Sequence, residues 1–193
     1  MIRKKIWMNG DSTPTLTAHI VNGSATVSSQ VVDDYLEVSF TQNTTSYAYW
    51  DMSNISDYVI QSGDYIEYEV YWETSGAIQA AMDFTLSDGG QLRDSGTTDS
   101  NSYSMHPAAD LSAVASGKWY KRKAKITDFT NGYAVGKTLQ YFDIVCEFDQ
   151  TTGSSIKVAR YKNIAITDEN GLVTDNYLKH YRRSRSLGLI TNY

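Results

Sequence analysis

The sequence predicts an all-β domain: an antiparallel two-sheet β-sandwich with N- and C-terminal extensions. Three observations carry this. Apolar residues recur with period two through several long runs, Asn-Gly and Gly-Gly pairs punctuate those runs, and only two prolines occur in 193 residues. Period two marks a strand with one buried face. Asn-Gly supplies the positive φ angles of tight turns, and scarce proline leaves the ladder donors intact.

The clearest run is 64–74, with Ile66, Tyr68, Val70 and Trp72 in one phase and Tyr65, Glu67, Glu69, Tyr71 and Glu73 in the other. The first set, Trp72 included, reads as core. Residues 78–86 repeat the pattern with Ile78, Ala80, Met82, Phe84 and Leu86, and Ser75-Gly76 between the runs predicts a hairpin. Tyr120, Arg122, Ala124 and Ile126 alternate with Trp119, Lys121, Lys123 and Lys125. Runs over 139–149 and 156–167 complete the set, separated by a turn-forming stretch at 150–154. Cys146, the one cysteine, falls in the apolar phase with Phe142, Ile144 and Phe148, so it reads as a core thiol and excludes an intramolecular disulfide. Asn22-Gly23 predicts a small hairpin between 16–21 and 24–27. Helical signal is weak, with one turn expected over 107–112 and another over 175–181.

The division that follows is an N-terminal arm with a short hairpin (1–34), the sandwich (35–171) and a C-terminal tail (172–193). The tail alternates apolar and basic residues and is either docked on its own domain or laid over a neighbour. Tyr177, Tyr181, Arg182, Arg183 and Arg185 are its candidate partner contacts.

Charge narrows the function. A net charge of −5 argues against general nucleic-acid binding. The basic cluster Lys118, Lys121, Arg122, Lys123 and Lys125 is either solvated surface or a contact for an acidic protein. No run reaches transmembrane length, so no membrane partner is expected. No signal-peptide stretch follows the basic start at Met1, which predicts synthesis in a cytoplasm.

Each candidate catalytic set fails. His19, His106 and His180 lack metal-ligand spacing. Glu67, Glu69 and Glu73, with Asp83 expected on a neighbouring strand, could serve glycoside hydrolysis, but charge on a solvated sheet face explains them more simply. Gly89-Gly90 lacks the Lys-Ser/Thr of a phosphate loop. Asp168-Glu169-Asn170-Gly171 resembles a fragment of a calcium loop without the flanking helices. The chain therefore reads as a non-enzyme with no cofactor.

Binding chemistry remains. Fifteen Tyr and four Trp against five Phe mean that most rings carry a polar handle. Such rings stack on the C–H faces of sugars while nearby polar groups meet the hydroxyls. The candidates are Tyr65, Glu67, Glu69, Tyr71, Gln79 and Trp119, with Tyr47, Tyr49 and Trp50 on a second stretch.

The stretch Ser116-Gly117-Lys118-Trp119-Tyr120-Lys121-Arg122-Lys123, the strand Leu139–Phe148 and the run from Val158 to Thr167 together resemble the jelly-roll carbohydrate-binding modules that accompany xylanases and cellulases. The resemblance implies a jelly roll, no catalysis and a structural calcium in some members. Lys162-Asn163 stand where an acidic residue is usual, which counts against the calcium here. Similar modules occur in bacteriophage virion proteins. With the cytoplasmic reading and the terminal extensions, this leads to the expectation of a virion accessory protein of head or tail, present in multiple copies. Its expected partners are capsid or tail proteins and glycans. The alternative is a carbohydrate-binding module of a polysaccharide-degrading system.

Overall fold

The computed structural model describes residues 1–8, 10–21, 24–42, 47–52, 57–72, 78–107, 117–126, 134–148 and 156–172. Among them are ten strands: β1 (Ile2–Trp7), β2 (Leu16–Val21), β3 (Ala25–Val32), β4 (Tyr35–Gln42), β5 (Tyr47–Met52), β6 (Tyr65–Trp72), β7 (Ile78–Leu86), β8 (Tyr120–Lys125), β9 (Leu139–Phe148) and β10 (Ile156–Thr167). The larger sheet has the order β3-β4-β10-β6-β8, with β1 also paired to β10; the smaller has the order β2-β5-β9-β7. All the pairings are antiparallel. The only helical element among the described residues is a 3-10 turn at Leu92–Ser95. The two-sheet antiparallel sandwich predicted from the sequence is the fold.

The inner faces are the apolar phases that the sequence displays. Ile66, Tyr68, Val70 and Trp72 of β6 look across at Ala80, Met82, Phe84 and Leu86 of β7, all buried. Phe142, Ile144 and Cys146 of β9 and Ala48, Trp50 and Met52 of β5 extend the same layer. Each fully buried large apolar side chain contributes roughly 1.5–3 kcal/mol, and Trp7, Leu36 and Tyr161 fill the remaining space. Two core tyrosines satisfy their hydroxyls across the sandwich. Tyr161 donates to the Val145 carbonyl at 2.6 Å, and the Tyr68 hydroxyl accepts from the Met82 amide at 3.3 Å.

Arg122 is the exception in the core phase. It is fully buried, pairs with Asp99 through Nε at 2.7 Å, and donates from Nη2 to the Ser104 carbonyl at 2.6 Å. The Tyr120 hydroxyl also reaches Asp99, at 3.0 Å. This cluster fastens the segment 97–105 to β8.

Three sequence expectations are corrected. Residues 1–34 are not a separate arm: β1 joins β10, β2 joins β5 and β3 joins β4. The expected hairpin around Asn22-Gly23 does not form, because β2 and β3 belong to opposite sheets. Nor do β6 and β7 form a hairpin; they face each other across the core. In all three cases alternation reports which side of a strand is buried, whereas the pairing partner is chosen by distant residues. The tail beyond Leu172, with Tyr177, Tyr181, Arg182, Arg183 and Arg185, lies outside the described residues. So do the expected helical turn over 175–181 and all but Pro107 of that over 107–112.

β10 organises the larger sheet. Its first half pairs with β4 and its second half with β1, while β6 lies along its other side. The change of neighbour falls at a bulge at Asn163, which takes φ of 54°. Asn tolerates that left-handed conformation better than most residues.

Candidate functional site

The sandwich leaves two outer faces. On the smaller sheet, register aligns three aspartates from adjacent strands: Asp51 of β5 is opposite Asp143 of β9, which is opposite Asp83 of β7. Each sits between two core residues in sequence, so the pleat turns each one outward. At one end of the row His19 Nε2 lies 2.8 Å from Asp51 Oδ2, and the imidazole stacks on Tyr49 with centroids 4.7 Å apart. At the other end Asp83 accepts from the Phe84 and Arg93 amides and pairs with Arg93 Nε at 2.6 Å. Arg93 comes from the 3-10 turn, so that turn closes this edge.

The middle of the row and its Asp83 end are buried, while the Asp51 end is partly exposed. Asp143 is 6% exposed, Ala81 and Val145 beside it are buried, and Tyr141 on the same strand face is 53% exposed. Burial opposes the charge on Asp143, and its hydrogen bond and repulsion with Asp51, with Asp83 further off, add to this; its pKa is pushed up to about 8. Burial likewise raises Asp83, against the pull of Arg93. Asp143 is therefore largely a neutral acid at pH 7. A neutral carboxyl both donates and accepts, as a sugar hydroxyl does.

The outer face of the larger sheet is aromatic and basic. Trp119, just before β8, lies with Lys162 Nζ 4.0 Å from its ring centroid. Tyr71 and Tyr35 tilt against the indole at 5.6 Å and 6.0 Å. The Arg160 guanidinium sits 5.2 Å from each tyrosine ring and is held by Glu37 at 2.8 Å. The other end of this face is closed. Glu67 is fully buried, with Lys121 at 2.5 Å on Oε1, while Thr167 Oγ1 and the Leu172 amide donate to Oε2.

The expected site residues therefore divide. Trp119 and Tyr71 come together on one half-buried platform. Tyr65 is on the same sheet face, but the Lys123 ammonium lies 4.8 Å over its ring, and Glu69 is tied to Asn163 at 2.6 Å. Glu67 is a buried fastening for the turn at 168–171 rather than a ligand group. Trp50 is core, being in phase with Ala48 and Met52. Tyr49 is on the aspartate face; the side chains of Tyr47 and Gln79 lie outside the described set. Asp83 is not beside Glu67 and Glu69, as it projects from the opposite face of the molecule. Glu73 is outside the described residues. The preferred reading of these carboxylates as charge on a solvated sheet face is corrected for Glu67 and Asp83, which are buried, and Asp83 does not join Glu67 and Glu69. Among the described residues, no cluster of three or more His, Cys, Asp or Glu could hold a metal ion.

Sequence reading missed Asp51 and Asp143 as site residues, with His19, Arg93 and Tyr141. A signal was present in Trp50-Asp51-Met52, Met82-Asp83-Phe84 and Phe142-Asp143-Ile144: an aspartate between two core residues, three times over.

No protein-family model and no curated protein sequence matches the chain. Solved structures match in fold. One, from work on promiscuous specificity in carbohydrate-binding modules of the β-sandwich superfamily, has a TM-score of 0.52 at 11% identity over 85% of this chain and 62% of its own. The family 11 carbohydrate-binding module of a cellulosomal cellulase of Clostridium thermocellum gives 0.51 at 11% identity, over 87% of this chain and 96% of the module. An exo-β-agarase gives 0.56 at 10% identity, over 91% of this chain and 26% of the enzyme. This chain thus spans under two thirds of the first and about a quarter of the agarase. At such identities the likeness is one of fold.

Proposed function

We propose that the protein is a non-catalytic carbohydrate-binding domain whose ligand, a neutral glycan, lies across the aspartate row of the smaller sheet. The observation that carries this is the accessible end of the row, where Asp51 is held by His19 at 2.8 Å beside the stacked Tyr49 and the exposed Tyr141, against the buried Asp143. Tyr49 and Tyr141 supply ring faces for the C–H surfaces of a sugar, while His19, Asp51 and Arg93 supply hydrogen bonds around it. The chemistry is recognition of hydroxyls. Asp51 and Asp143 hydrogen-bond to each other, whereas glycoside hydrolysis needs carboxyls separated by about 5–9.5 Å.

Affinity electrophoresis and calorimetry against neutral β-glucans, galactans and agarose test this. Tyr49→Ala and Asp51→Ala are expected to weaken binding at least tenfold while the melting temperature stays within a few degrees. Binding that survives both substitutions, or no binding to any neutral glycan, overturns the assignment.

The setting we infer is multivalent display on a virion, where avidity lifts weak single-site binding by ~10²–10⁴. A polysaccharide-degrading system is the alternative, and it suits the same face. Co-sedimentation of the full chain with phage particles or with a cellulolytic complex distinguishes the two.

A further inference from the structure

We infer that the opposite face, on the larger sheet, carries a second and separate glycan site centred on Trp119, and that its ligand is an acidic, uronate-bearing sugar chain. This goes beyond the first site and rests on different residues.

The first ground is preorganisation. Trp119 is half-buried, and one side of its indole is taken by the Lys162 ammonium at 4.0 Å. Lys162 is itself only 18% exposed, so the ammonium props the ring from within the molecule. Tyr71 and Tyr35 brace the indole from β6 and β4, and Arg160, fixed by Glu37, is shared between their rings. Three strands, β4, β6 and β10, thus hold a single indole in place. A ring fixed before the ligand arrives loses little freedom on binding, and a pyranose C–H face stacks on such a surface.

The second ground is charge. On this face the described cations Lys121, Lys123, Lys125, Arg160 and Lys162 outnumber the carboxylates Asp34, Glu37, Glu67 and Glu69 by one, with Lys121 and Lys123 paired to Glu67, Arg160 to Glu37 and Lys162 to Asp34, in a chain whose net charge is −5. Lys118, next to Trp119, is exposed and has no ion-pair partner among the described residues. On the aspartate face Asp83 is paired with Arg93 and Asp51 adds a further carboxylate, so that face has no such excess of cations. A polyuronate is therefore drawn to Trp119 and not to Asp51. A neutral glycan has no such preference, so charge is what separates the two sites. With both sites occupied, the domain would bridge a neutral and an acidic polysaccharide.

The test is calorimetry of the full chain with oligogalacturonate and with a neutral β-glucan, at low and moderate salt. Uronate binding is expected, weakening as salt rises, falling at least tenfold in Trp119→Ala and by a smaller factor in Lys118→Ala. Neutral-glucan binding should be unchanged in both. Trp119→Phe, which keeps a ring, guards against loss of fold and should give intermediate affinity. The inference is overturned by absence of uronate binding, by uronate binding indifferent to Trp119→Ala, or by a neutral glycan as the ligand lost in that variant. Loss of neutral-glucan binding in Tyr49→Ala concerns only the first site, so the two readings fail separately.

Discussion

Asp143 stands directly opposite Asp51 in the ladder between β9 and β5, and the two carboxyls share a hydrogen bond in the middle of a sheet face. Two adjacent carboxylates there cannot both ionise cheaply, so Asp143 keeps its proton to about pH 8. Because its folded pKa lies above its unfolded value, the folded state holds the extra proton between roughly pH 4 and 8. Its contribution to stability is greatest at the acid end of that window and is lost as the pH rises through it. Asp143→Asn mimics the neutral acid. Thermal melts at pH 5 and pH 9 should show little change at pH 5 and a gain of at least ~1 kcal/mol at pH 9, about 2–4 °C for a domain of this size. Glycan binding should weaken in the native protein above pH 8 but not in the variant.

The buried pair of Arg122 and Asp99 gives a second prediction. Removing one partner strands a charge in the core, at a cost of about 3–5 kcal/mol. Arg122→Met should therefore be severely destabilising. The double variant Arg122→Met/Asp99→Asn should recover part of the loss, as measured by urea denaturation. Equal stability of single and double variants would show that packing, not charge, dominates.

Tyr161 reaches from the larger sheet to a carbonyl of the smaller. Tyr161→Phe keeps the ring and deletes that hydrogen bond, leaving the Val145 carbonyl with one partner fewer. The expected loss is about 1–2 kcal/mol, read as a fall in the urea midpoint at unchanged slope.

Gly171 closes the turn over Glu67 with φ of +69°, and a Cβ there would lie 2.5 Å from Glu67 Oε2 and 2.9 Å from Lys123 Nζ. Gly171→Ala should lift the turn away from the sheet and cost at least ~1–2 kcal/mol. Faster hydrogen exchange at the Leu172 amide, which donates to Glu67 at 3.0 Å, would locate the change. Unaltered exchange there would contradict it.

The sequence by itself determined the strands and their buried sides. Alternation put Trp72, Cys146 and the even-numbered residues of β6 inside, and they are inside. It also announced the ring of Trp119 and its neighbour Tyr71. Period two is a local property, set by the geometry of one extended chain, so it survives without knowledge of the rest. Tertiary structure alone decided which strands pair, and that β1, β2 and β3 belong to the sandwich. It also decided that Glu67 serves as a fastening, that Trp50 is core, and that Asp51, Asp83 and Asp143 form one row. Those outcomes depend on register between strands far apart in the chain. A carboxylate's burial, its partner and its proton are fixed only once those strands lie side by side.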